Sequence, residues 1–364
     1  MKMKHRILFF PAALMLFLLF TAGLTSCEFG SIAIGIPRTT PPANTVFQPL
    51  DEPPVSGPQT NDEDSPQATV TTKAETPPVT EAPKAQVFYH PLSALPVGKA
   101  VAEKRPIALS LDGSGLFALS APHFLLEGPV ESGKTRYLYL TCDDLSELRR
   151  DEILSTRPYF AALAHDFYAI SAYRGTSDDG RESTAFLYDT LDFSRPEIAD
   201  VSLSVALKNT GFPKKITGGI ALPYSFVAPG EMTEPGGTYS SYIRIPFFGG
   251  SSTAFTYDSL SHVYTLRAGA NDRPAFTFTN VFVLFFNTGI TTTKTGVTLS
   301  MDTDAGGTGY YISNGYAVPI EWERDTSTSA LRFYAEGGRE LKINRGKTYI
   351  AMTDFSQKTS LILN

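Results

Sequence analysis

The chain has almost no cysteine: of 364 residues only Cys27 and Cys142 carry a thiol. If the chain is cleaved ahead of Cys27 and that sulfur is acylated, Cys142 is the only thiol left, and an internal disulfide is excluded even in an oxidising compartment. Stability then rests on a packed core, which a chain of a few hundred residues can supply. Histidine is also sparse, at five residues, and none falls in an HExxH pair or other zinc spacing. No metal or cofactor is therefore expected. No GxSxG elbow is present, so no serine nucleophile is nominated. Positive charge is also in deficit: net charge is −6 and pI about 5.5. No basic stripe follows Cys27, which argues against nucleic acid as a partner.

Long apolar runs are limited to one. Lys2, Lys4 and Arg6 precede the uncharged stretch 7–23, and Leu24-Thr25-Ser26-Cys27 follows. That order is the basic, apolar and small-residue sequence of a secretory signal. A spanning helix needs about 18 to 20 apolar residues, and this run is marginally short and holds Pro11. The reading is a lipoprotein signal over 1–26 with Cys27 as the lipid-attachment residue. Two or more acyl chains, at about 0.8 kcal/mol per buried CH₂, would hold the chain on the outer face of the cell membrane. Residues 27–84 are rich in Pro, Thr, Ala, Ser and acidic side chains and read as a disordered stalk. Its reach is about 40 Å as a coil and about 175 Å in polyproline extension.

Two textures follow. Residues 85–225 mix strands at 105–111, 135–141 and 168–173 with helices at 157–167, 182–191 and 197–208. Ser155 or Thr156 is the expected cap of the first helix. Residues 226–364 are short strands with turn punctuation at Asn314-Gly315, Glu336-Gly337-Gly338 and Asn344-Arg345-Gly346. The expected class is α+β: a mixed α/β half followed by an antiparallel β-rich half, a small sandwich or open barrel.

Several motifs in order resemble the YerB-type lipoproteins, a family of undefined biochemical role. In the first half these are Pro91-Leu92-Ser93-Ala94-Leu95-Pro96, Arg105-Pro106-Ile107-Ala108 running to Asp112, Val130-Glu131-Ser132-Gly133-Lys134-Thr135-Arg136, and Ser155-Thr156-Arg157-Pro158. In the second they are Phe255-Thr256-Tyr257-Asp258 with Tyr264 and Arg267, then Gly307-Thr308-Gly309, Trp322 and Gly346-Lys347-Thr348-Tyr349-Ile350. The resemblance implies the two-domain layout and transfers no catalytic residues. Two departures stand out. Leu154 occupies the place of the arginine in a Gly-Pro-Val-Arg-Ser pattern, and Tyr173 that of the histidine in His-Ala-Gly-Gly-Ser.

Candidate ligand-binding residues are Asp112, Glu131, Arg136 and Arg157 in the first half and Tyr257, Asp258 and Arg267 in the second. Asp112 ends a strand ahead of Gly113-Ser114-Gly115, where open sheets dock ligands. With Ala118 that run echoes a dinucleotide fingerprint, and a strand-to-loop turn explains it better. Glu131, Arg136 and Arg157 could hold a carboxylate or sugar acid through a guanidinium fork, or brace one another internally. Tyr257, Asp258, Tyr264, Arg267 and Asp272 suit a carbohydrate or peptide groove, or ordinary cross-strand pairing. Cys142 reads as a buried, inert thiol with Asp143 and Asp144 beside it. His165-Asp166 reads as a helix-terminal or surface feature, and Asp302 to Gly307 as a glycine-rich connection in place of a calcium loop. The functional expectation is a non-catalytic binding or scaffolding protein that touches wall polymer or another envelope protein. The alternative is an envelope enzyme acting on a glycan or peptide.

Overall fold

The structure is a computed structural model. It describes residues 86–364 apart from 118, 144, 146, 147, 149, 176–188, 269–272, 294, 295, 327 and 328. Cys27 and the stalk lie outside the described residues, as do Ala118, Asp144 and Asp272. The described residues fall in one compact unit, and no helix among them is long and apolar enough to cross a membrane.

The first texture runs β1 (Phe88–Tyr89), β2 (Pro96–Val97), α1 (Lys99–Ala102), β3 (Ile107–Leu111), α2 (Gly113–Leu116), β4 (Phe124–Val130), β5 (Lys134–Thr141), α3 (Pro158–Asp166), β6 (Ile170–Tyr173), β7 (Thr190–Asp192) and α4 (Leu203–Asn209). The helix expected at 182–191 falls mostly on undescribed residues, and its last two residues enter β7. The helix expected at 197–208 begins only at Leu203, where the Ser202 hydroxyl accepts from the Val205 amide at 3.4 Å. Neither Ser155 nor Thr156 caps α3. Arg157 is its N-cap, without a side-chain cap bond, and Pro158 opens the first turn, where a missing N–H costs nothing.

The second texture is almost all strand: β8 (Thr238–Tyr239), β9 (Tyr242–Pro246), β10 (Ser252–Asp258), β11 (Val263–Ala268), β12 (Arg273–Phe278), β13 (Asn280–Phe286), β14 (Thr288–Thr293), β15 (Gly296–Met301), β16 (Gly306–Ser313), β17 (Tyr316–Glu323), β18 (Arg332–Ala335), β19 (Arg339–Glu340), β20 (Thr348–Asp354) and β21 (Ile362–Leu363). The Asn314-Gly315 turn joins β16 to β17 with φ of 49° and 85°, the geometry that favours this dipeptide in two-residue hairpins. Gly337 and Gly338, both at positive φ, turn β18 into β19.

The mostly β, α+β class is as expected, but the second half is not a self-contained antiparallel sandwich. A twelve-stranded sheet runs β19-β18-β17-β16-β13-β20-β4-β5-β3-β6-β7, with β8 on β17. Strand β20 lies between β13 and β4 and is parallel to both, so the textures meet inside one sheet. The cause is burial on both faces. Every residue of β13 and β4 is buried, as is all of β20 but Asp354, and such strands need cover above and below.

The cover differs on the two sides. Val281, Val283 and Phe285 of β13 join Leu125 and Tyr349 in one apolar cluster with Ile243, Phe255, Tyr264 and Phe278 of a five-stranded sheet, β12-β11-β10-β9-β21. Phe282, Leu284 and Phe286 face the other way, into a cluster with Phe160, Leu163 and Phe167 at α3 and with Trp322 and Phe333. The core is thus a long mixed sheet between a smaller sheet and a helix.

Candidate functional site

Glu131, Arg136 and Arg157 are brought together, at the end of β4 and the start of α3. Glu131 opens a tight turn in which Ser132 and Gly133 take φ of 67° and 68°. Arg157 Nε donates to Glu131 Oε1 at 3.1 Å and its Nη2 donates to Oε2, a bidentate fork. The Leu299 amide of β15 donates to Oε1 as well, at 3.1 Å. Arg157 Nη1 donates to the Thr156 carbonyl at 2.9 Å and to Ser155 Oγ at 3.1 Å. Arg136 reaches Ser155 from the other side, donating to its carbonyl at 2.7 Å and to its hydroxyl. Arg157 is buried. Burial pushes the Glu131 carboxyl up, but the Arg157 fork and backbone amides outweigh it and hold the group below the usual carboxylate range. Burial lowers Arg136, and the Arg157 charge beside it lowers it further. This is an internal brace that ties β4, α3 and β15 together.

Asp112 stands apart. Its carboxylate caps α2, accepting from the Gly115 amide at 2.9 Å and the Ser114 hydroxyl at 2.6 Å. Those bonds hold it below its ordinary range against the opposing effect of burial, with a smaller contribution from Arg136. The two departure positions do meet: the Arg174 amide, next to Tyr173, donates to the Leu154 carbonyl at 3.0 Å.

The second candidate group does not converge. Tyr257 and Tyr264 are cross-strand partners, and Arg267 pairs with Ala254 at the other end of the same ladder. Asp258 holds the β10–β11 turn, accepting from the Leu260 amide at 2.9 Å and the Ser261 hydroxyl at 2.6 Å. Among the described residues Arg267 donates a long 3.4 Å bond to Thr256. Tyr257 donates to Asn314 at 3.0 Å, and His262 Nδ1 meets the same amide oxygen at 2.7 Å. These are sheet and hairpin contacts.

Two further carboxylates are buried. Asp166, read as a helix-terminal or surface feature, does end α3, but it is buried and paired through both oxygens with Arg324, at 2.9 and 2.7 Å. Burial lifts its pKa to about 6 against the pull of Arg324. Glu127 of β4 is buried among hydroxyls. Thr135 and Thr253 donate at 2.7 Å, Tyr349 donates too, and burial raises the carboxyl despite them. Its signal was a lone carboxylate in an apolar run, Phe124-Leu125-Leu126-Glu127. Cys142 is buried as expected, and burial, then Asp143, push its thiol up to about 12. Among the described residues no three His, Cys, Asp or Glu side chains are placed to hold a metal.

Open space lies elsewhere. A cleft of about 400 Å³ runs along β16 and β17, lined among others by Thr308, Tyr310, Glu321, Glu336 and Lys358. A second cavity, about 190 Å³, shares Thr308 and is lined among others by Asn287, Asp302, Trp322 and Phe355. The family motif flagged Thr308 and Trp322, but nothing in it marked them as cleft residues.

Residues 243–350, which hold both cavities' strand residues, match the C-terminal domain of DUF3048, a protein family of unknown function. Among solved structures, YerB from Bacillus subtilis is similar in fold. The TM-score is 0.56 at 19% identity, covering 73% of this chain and 96% of that one. No curated protein matches the chain. The YerB-type resemblance read from the motifs is borne out by the match and the fold together. The matched residues include β13, β16, β17 and the start of β20 in the long sheet, and nearly all of β9 to β12 in the smaller one.

Proposed function

We propose that the chain is a membrane-anchored, extracytoplasmic protein of the cell envelope that binds or scaffolds and does not catalyse. The observation that carries this reading is the commitment of its best acid and base candidates to the fold. Glu131 is held by Arg157 and the Leu299 amide, and Asp112 by its own helix turn. A general acid or base needs a proton-exchanging face toward substrate, and these carboxylates spend theirs on internal donors. Among the described residues an open surface is offered by the cleft along β16 and β17, within the segment that matches DUF3048. In this reading 85–225 and 226–364 are two sequence modules joined through one sheet, with Cys27 and the stalk holding them within tether reach of the membrane.

Fractionation tests the anchor. The wild-type chain is expected in the membrane fraction, with Cys27→Ser released to the soluble one, and equal partition of the two would refute it. Recovery of wall fragments or an envelope protein from solubilised membranes, undiminished for Asp112→Ala, tests the binding role. Turnover of a wall glycan or peptide that disappears in Glu131→Gln would overturn it in favour of an enzyme.

A further inference from the structure

The two cavities meet at Thr308 and share no residue with the Glu131–Arg157 brace. Both volumes together fall in the range of small-ligand clefts, about 300–1,000 Å³. Their walls are mixed in a way that narrows the ligand. Phe355 is 52% exposed at the rim of the smaller cavity. The Lys358 ammonium lies 5.5 Å from the Phe355 ring centroid and donates to Thr308 Oγ1 at 3.3 Å. Asn287 and Asp302 are exposed at one end, Glu321 and Glu336 at the other.

Trp322 is buried in the wall of the smaller cavity, and its Nε1 has no hydrogen-bond partner among the described residues. Gly307 makes room for it, since a Cβ there would lie 2.6–2.7 Å from the indole. An apolar ligand would make no bond to the amide, ammonium and carboxylates of these walls. An anion would face three carboxylates. A sugar satisfies both kinds of wall, because its hydroxyls donate to carboxylates and accept from amide and ammonium while its C–H face lies on an aromatic ring.

We propose that this double cleft binds a neutral oligosaccharide, with adjacent sugar units in the two cavities. The proposal rests on the binding role above and names its ligand class. Its test uses the full chain in detergent with defined sugars, so it reads the cleft whether or not Cys27 is acylated.

Trp322 is the only tryptophan in the chain, so its emission reports on this cleft alone. Neutral tetrasaccharides of N-acetylglucosamine, glucose and mannose are titrated against it, with calorimetry in parallel. At least one is expected to saturate, and Phe355→Ala and Asp302→Ala, both surface changes, to weaken it about tenfold, or about 1.4 kcal/mol. Leu260→Ala, 93% exposed on the β10–β11 turn, is expected to leave it unchanged. No saturable heat or emission change from any of the three up to about 10 mM, a free energy of only about −3 kcal/mol, overturns the proposal. So does equal affinity in the cleft variants, or saturation by a lysine-rich peptide alone, which would assign the carboxylates to a cationic partner.

Discussion

Acid destabilises this fold through His90. The imidazole lies in the turn after β1, and its Nδ1 accepts from the amides of Leu92 at 3.2 Å and Ser93 at 3.4 Å. A proton on Nδ1 would point at two N–H groups. His123 stacks on the ring with centroids 4.0 Å apart. Burial is the largest cause, and His123 and Lys104 add to it while Asp143 opposes, leaving His90 lowered from 6.5 to about 4. The folded chain therefore binds this proton less readily than the unfolded chain. The resulting stability is complete above about pH 6.5 and is lost as pH falls toward 4. At 1.36 kcal/mol per pH unit, the difference amounts to about 3 kcal/mol. For a body of this size that lowers Tm by on the order of 10 °C. Urea melts of wild type and His90→Asn between pH 7.5 and 4 measure it. The Asn side-chain oxygen can accept the same amide bonds, as in an Asx turn, and does not titrate. The two stability curves should diverge by about 1.4 kcal/mol per pH unit below 6.5. Parallel curves across that window would refute the reasoning, since every other carboxylate and histidine is common to both proteins.

Two further outcomes are expected from the buried charges. Arg324→Leu strands the Asp166 carboxylate and should cost about 3–5 kcal/mol by chemical denaturation, with Asp166→Leu/Arg324→Leu recovering at least half of the loss. Glu127→Leu removes the acceptor of the Thr135, Thr253 and Tyr349 hydroxyls and should cost about 1–3 kcal/mol for each left unpaired. Because burial raises the Glu127 carboxyl, its own contribution to stability is complete below about pH 4.5 and is lost as pH rises through the folded pKa. Glu127→Gln, which keeps an acceptor oxygen, should flatten that fall in melts followed from pH 4.5 to 9.

Local chemistry was legible from the chain alone wherever one residue's own preferences decide the outcome. Asn314-Gly315 turns a hairpin because both residues tolerate positive φ. Cys142 could be read as inert from its apolar strand and acidic neighbour. Tertiary structure decided what lies far apart in sequence. Arg324 finds Asp166 across 158 residues, and Tyr349 finds Glu127 across 222. The apolar runs in β4, β13 and β20 announce burial, but two-faced burial carries no alternation to set register or partner, so one sheet through both textures could not be foreseen. The brace was visible only as three charged residues. Whether they would point at a ligand or at each other depended on how β4, α3 and β15 pack, and packing gave Arg157 to Glu131 and left the open cleft to Thr308, Trp322 and Lys358.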